Sequence, residues 1–200
     1  MADISDQKID HSKPSISMTV GDFATEDESH QAFYELINGL ELFQIFQKKI
    51  SHQIEWLPRW RNHRETYIPD FVLLPLPKLI DAGWPAGEAL IVDAKASGVE
   101  IGPVCSQLLD YLCASYMCSE VIVRPSWAFM WPVRKQKSTA ASIMSHQRFG
   151  TVIDGAIEDS GMRTNEIGFY VGEGCLLRIV DGVPRVSQKV LQYGKRSGSR

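Results

Sequence analysis

Asp70 and the triplet Asp93-Ala94-Lys95 each ride on an apolar run of strand-like character. Tyr67-Ile68-Pro69-Asp70-Phe71-Val72-Leu73-Leu74 carries the first carboxylate, and Ala89-Leu90-Ile91-Val92-Asp93-Ala94-Lys95 carries the second together with an ammonium group. A carboxylate inside such a run is costly unless a metal, a lysine or a hydrogen-bond donor neutralises it. If the two runs pair as neighbouring strands, Asp70 and Asp93 form an oxygen pair suited to Mg²⁺ or Mn²⁺, hard cations that retain waters for reaction. Lys95 stands two residues beyond Asp93, on the same strand face. Two acids, a divalent ion and one lysine are the parts of metal-assisted phosphodiester hydrolysis, with Lys95 orienting the nucleophile or steadying the transition state. The competing readings are a turn acid after proline for Asp70 and a solvent-facing salt bridge for Asp93 and Lys95.

Pro69-Asp70 followed by Asp93-Ala94-Lys95 resembles the signature of the PD-(D/E)XK nuclease superfamily, which has the restriction-endonuclease-like fold. A helical segment follows with Gln107 and Tyr111 four residues apart, similar to the Gln-x-x-x-Tyr helix of RecB-type and type I restriction nucleases. The likeness spans roughly residues 25 to 125. It implies a Mg²⁺- or Mn²⁺-dependent nuclease acting on DNA or RNA, with Asp70, Asp93 and the carbonyl of Ala94 as metal ligands. It further implies a first-helix glutamate as an added ligand, for which Glu28 and Glu35 share a helix face. Gln107 and Tyr111 would reach a phosphate or the surroundings of Lys95. Viral cap-snatching endonucleases of related fold use a first-helix histidine, which here would be His30.

Two hundred residues with 44% apolar content suffice for one sizeable domain. The expected organisation is a loose arm over 1–22, one nuclease-like domain over 23–193 and a basic tail over 194–200. A formal charge of −3 offers no global positive field, so any nucleic-acid footprint has to be local. Trp60, Arg61 and Arg64 could stack on bases and pair with phosphates, and Arg134, Lys135 and Lys137 form a second basic loop. Either set could equally serve as a connector or solvated surface, and on a scaffold without catalysis they would make a nucleic-acid-binding or assembly subunit. The four cysteines form no Cys-x-x-Cys pair and lack the spacing of an iron–sulfur cluster. Neither a leader nor a membrane-length apolar stretch is legible, so an intracellular protein is expected, acting alone, as a homodimer or in a larger nuclease complex.

The elements that position these residues follow from periodicity. Thr25-Glu26-Asp27-Glu28 has the form of a capping box ahead of apolar residues at helical spacing, predicting a helix over about 26–48. The Pro- and Gly-bearing stretch 75–87 predicts a loop with one helical turn near 78–82, joining an antiparallel or meandering pair. Pro103 opens a helix of about 103–118, and Val121–Val123 and Ser126–Trp131 read as strands. Residues 139–159 read as mostly helical, and three short strands, Ile167–Val171, Leu176–Val180 and Pro184–Val190, close the domain. The expected fold is α/β: a mixed central β-sheet of about four or five strands flanked by helices, the acids at one sheet edge, and a C-terminal β-rich extension.

Overall fold

Ala89-Leu90-Ile91-Val92 is apolar at every position because both of its faces are covered, the mark of a central strand rather than a half-solvated one. In the computed structural model, which describes residues 23–50, 53–57, 68–96, 99, 101–131, 149–159, 162–171, 174–180 and 182–187, this run is strand β4 (Ala89–Ala94). The other elements are α1 (Glu26–Asn38), β1 (Phe43–Gln47), β2 (Ile54–Leu57), β3 (Phe71–Pro75), α2 (Pro77–Asp81), α3 (Ile101–Cys113), β5 (Ser115–Cys118), β6 (Val121–Val123) and β7 (Pro125–Trp131). They are followed by β8 (Phe149–Asp159), β9 (Met162–Val171), β10 (Gly174–Val180) and β11 (Val183–Val186).

The fold is α/β. One eight-stranded mixed sheet runs β1-β3-β4-β7-β8-β9-β10-β11, and a three-stranded antiparallel sheet runs β2-β5-β6. β3 pairs antiparallel with both β1 and β4, whereas β4–β7 and β7–β8 are parallel. A parallel neighbour demands a crossover, and between β4 and β7 α3 and the β5–β6 hairpin supply it. Alternation along β3 and β4 splits the core in two. Phe71, Leu73, Leu90 and Val92 join Phe33 and Ile37 of α1 on one face. Val72, Ala89 and Ile91 join Val104, Leu108 and Tyr111 of α3 and the inner residues of the small sheet on the other.

Several expectations are corrected. The first helix ends at Asn38 rather than near 48, because Asn38-Gly39 is a poor helical pair and Glu41 takes φ 53°, after which Phe43–Gln47 pairs with β3. The helix after Pro103 stops at Cys113, and Ser115–Cys118 is strand β5. Within 139–159, Phe149–Asp159 is a strand, paired along its length with β9. The sheet has eight strands rather than four or five, because the C-terminal strands extend the main sheet. The arm 1–22 and the tail 194–200 lie outside the described residues, as do Trp60, Arg61, Arg64, Arg134, Lys135 and Lys137.

Candidate functional site

The β3–β4 ladder ends at Phe71 opposite Val92, and continuing its register by one residue sets Asp70 opposite Asp93. Cross-strand neighbours of this kind project to one face. Their parity with Val72 and Ile91 assigns both acids to the face covered by α3. The strands involved are interior ones, so the acids sit at strand ends within the sheet and not at its edge.

Asp70 and Asp93 are both buried, with 9% and 1% of their surface exposed. Asp70 Oδ2 accepts a 2.8 Å hydrogen bond from the backbone N–H of Ala94. That amide points toward β3 beyond the last ladder pair, and the carboxylate takes the place of a strand carbonyl. Ala94 therefore meets Asp70 through its N–H, whereas the resemblance had given a role to its carbonyl. Lys95 donates its own backbone N–H to Trp131 O at 2.8 Å, continuing the β4–β7 pairing past the strand end.

The Lys95 ammonium lies 2.6 Å from Asp93 Oδ2 and 3.0 Å from Glu26 Oε1. Asp93 Oδ2 makes no hydrogen bond of good geometry, and this ion pair is its partner. Burial, reinforced by the charge of Asp70, raises the Asp93 carboxyl from 3.8 to about 7 even against the pull of Lys95. Proximity to the Asp70 carboxylate also favours the protonated form of Asp93. Burial depresses the Lys95 ammonium, but the Asp93 and Glu26 carboxylates outweigh it and the net direction is upward. The two shifts pull in opposite senses, since Lys95 gains from an ionised Asp93 that burial resists. Near-complete enclosure beside a second carboxylate is what raises Asp93.

Glu26, not Glu28 or Glu35, is the first-helix acid that reaches this cluster. Glu28 is engaged in the capping box, its carboxylate accepting from the Ala24 and Thr25 backbone and its amide donating to Thr25 Oγ1. Glu35 accepts from Gln31 on an exposed part of α1. Glu26 stands at the first helical position, where an acid also complements the helix N-terminus. The signal that could have singled it out was its place at the start of a helix that packs beside β4.

His30 is buried on α1, stacked on Phe71 with ring centroids 4.2 Å apart, and burial lowers its pKa. Its Nε2 is without a hydrogen-bond partner. Phe71 belongs to the α1 face of the sheet, so this imidazole lies across the sheet from the face assigned to the two carboxylates and touches the Asp70 main chain. Gln107 and Tyr111 are joined to each other: Gln107 Nε2 donates to Tyr111 Oη at 2.6 Å, and Tyr111 Oη reaches the Ile68 carbonyl at 3.4 Å. Burial, then the charges of Asp93 and Asp70, push the Tyr111 phenol far above its ordinary value.

Among the described residues, no group of three or more His, Cys, Asp or Glu side chains is arranged to hold a metal ion, and no helix is long and apolar enough to cross a membrane. Cys113 and Cys118 are free thiols. The chain matches no protein-family profile, no curated protein and no solved structure.

Proposed function

We propose that this protein is a metal-dependent nuclease that hydrolyses phosphodiester bonds of DNA or RNA, a member in outline of the PD-(D/E)XK group. The observation that carries the reading is the convergence of Asp70, Asp93 and Lys95 at the neighbouring ends of β3 and β4, although 23 positions separate the two acids. A merely structural ion pair needs one acid, and a second buried carboxylate beside it raises the energy of the fold. Sites that hold a like-charge pair against burial are commonly sites of chemistry.

The donor set suits Mg²⁺ or Mn²⁺: two carboxylates match the one or two that such ions take from protein while keeping their waters. Asp93 Oδ2 has no hydrogen bond besides the Lys95 ion pair, so no backbone donor commits its lone pairs. Asp70 and Asp93 would hold the ion, and Glu26 is the third acid within reach of the cluster through Lys95. When bound, the ion supplies Lewis-acid polarisation of the phosphoryl oxygen and a water of lowered pKa. The chain's own residues do the rest. Asp93, losing its proton near neutrality, carries the negative charge the site needs at physiological pH. Lys95, sharing Asp93 with a bound ion, would direct its ammonium to the attacking water or to the charge developing on phosphate. Glu26 holds that ammonium from the first turn of α1.

The test is cleavage of single-stranded, duplex and branched DNA and RNA with Mn²⁺ or Mg²⁺, each against an EDTA control. Wild-type protein is expected to cut at least one substrate, and Asp93→Ala and Lys95→Ala are each expected to lose about 10²–10³-fold in rate while remaining folded. Intact substrates throughout would leave a non-catalytic nucleic-acid-binding or assembly subunit as the better account. Cutting that survives both substitutions would move the site elsewhere.

A further inference from the structure

Asp70 lies just outside β3, which begins at Phe71, so ladder bonds on its own strand do not fix its carboxylate. The stretch Ile68-Pro69-Asp70 depends on anchors from other elements. Lys48 N–H donates to the Asp70 carbonyl at 3.0 Å, and Ala94 N–H donates to Asp70 Oδ2 at 2.8 Å. Pro69 has no N–H and adds no donor of its own. Among the described residues, the anchor upstream of Asp70 is Tyr111, whose hydroxyl meets the Ile68 carbonyl at 3.4 Å.

A phenol has one proton to donate. Gln107 Nε2 donates into the Tyr111 oxygen at 2.6 Å, which leaves the tyrosine's own proton for Ile68. Tyr111 is fully buried, seated on α3 with Val104 and Leu108 against the sheet, so its ring does not touch a substrate. The Gln107–Tyr111 pair, expected from sequence to reach a phosphate or the surroundings of Lys95, forms a hydrogen-bonded relay from a packed helix to the backbone two residues before a proposed metal ligand.

We propose that Tyr111 is a positioning residue for Asp70: its hydroxyl, oriented by Gln107, pins the chain at Ile68 and thereby sets the Asp70 carboxylate against the Ala94 amide. The geometric claim concerns the metal-free fold, and its catalytic consequence rests on the nuclease reading above. If both hold, Tyr111→Phe raises the Mn²⁺ concentration needed for half-maximal cleavage by about tenfold, since about 1.4 kcal/mol separates tenfold steps and one buried hydrogen bond is of that size.

The deciding measurement is amide hydrogen exchange on the full chain in EDTA, comparing wild type with Tyr111→Phe, a substitution that keeps the ring and removes only the hydroxyl. The Ala94 amide, which reports the Asp70 carboxylate, is expected to exchange about tenfold faster, while the β9 amides of Ile167–Phe169 stay unchanged. Unaltered Ala94 exchange overturns the proposal, and so does an equal loss of protection in Ala94 and β9, because the hydroxyl would then support the fold as a whole. Should Tyr111→Phe fail to fold, Gln107→Leu, which leaves the phenol in place, decides by the same criterion. Exchange needs neither metal nor substrate. A chain that cuts nothing yet responds at Ala94 would sink the nuclease reading and leave the positioning role standing.

Discussion

Asp93 is nearly sealed from water and faces both a like charge and an opposite one, so its proton is governed by competition. Burial and Asp70 prevail over Lys95 and hold the carboxyl near 7 instead of 3.8. In metal-free protein the consequence for stability has a definite sign. Below pH 4 the folded and unfolded chains both keep this proton. Between about 4 and 7 the unfolded chain releases it while the folded chain retains it, so stability falls as pH rises, and the loss is complete above the folded value. Asp93→Asn abolishes this titration and leaves Glu26 to pair with Lys95. In EDTA its advantage over wild type, measured by urea unfolding, is expected to grow from near zero at pH 4 to about 2–4 kcal/mol at pH 8. A gap that does not widen with pH would show that Asp93 ionises without penalty. Added Mn²⁺ is expected to stabilise wild type and not the variant, because only the wild-type pair offers the cation two charges.

Among the elements, α1 does the most for the site, since its first turn brings Glu26 to Lys95 and its buried face supports Phe71 beside Asp70. That first turn is held by the reciprocal bonds of Thr25 and Glu28, with Lys49 paired to Asp27 on its outer side. Thr25→Ala is expected to cost about 1 kcal/mol in urea unfolding, because an orphaned helix N–H loses its acceptor. The same variant loosens Glu26, so cleavage by Thr25→Ala should fall more than Asp27→Ala, which disturbs an exposed ion pair of little worth. The capping box was plain in the sequence because every participant lies within four residues. The helix end was not: Phe43 continues a helical spacing from Leu36 and Leu40, and the same residue fits a strand equally well. Pairing with β3 resolved the ambiguity by satisfying the whole backbone of 43–47 at once.

Across the whole molecule, the C-terminal strands are continuous with the sheet that carries the acids. Phe169 of β9 is fully buried, its ring 5.2 Å from that of Phe129 on β7 and 5.8 Å from that of Phe43 on β1. Trp131, at the end of β7, donates its indole N–H to the Ser29 carbonyl of α1 at 3.1 Å and accepts the Lys95 amide, so the same strand touches both the distal core and the site. Phe169→Ala is expected to destabilise by about 3–5 kcal/mol and to unfold α1 and β9 in one cooperative transition. Separate transitions for the two would mean that β8–β11 is a unit of its own.

The sequence by itself determined which residues carry charge into apolar runs, the cap of α1, the strand character of β3, β4 and β7, and the α/β class. All of these follow from patterns within a dozen residues. It misassigned segments whose apolar residues fit two periods: Phe43–Gln47 and Phe149–Asp159, expected to be helical, became strands because neighbouring strands offered backbone partners. The choice of acid was likewise settled in three dimensions. Glu26, Glu28 and Glu35 are alike in type and all lie on α1, but helix packing against β4 brings only the first to Lys95, while the cap and Gln31 engage the others. The partners of Tyr111 were set in the same way: spacing put it near Gln107, and burial of α3 against the sheet brought its hydroxyl to the Ile68 carbonyl. Local chemistry is written residue by residue, whereas partners distant along the chain are chosen by which packing leaves the fewest polar groups without one.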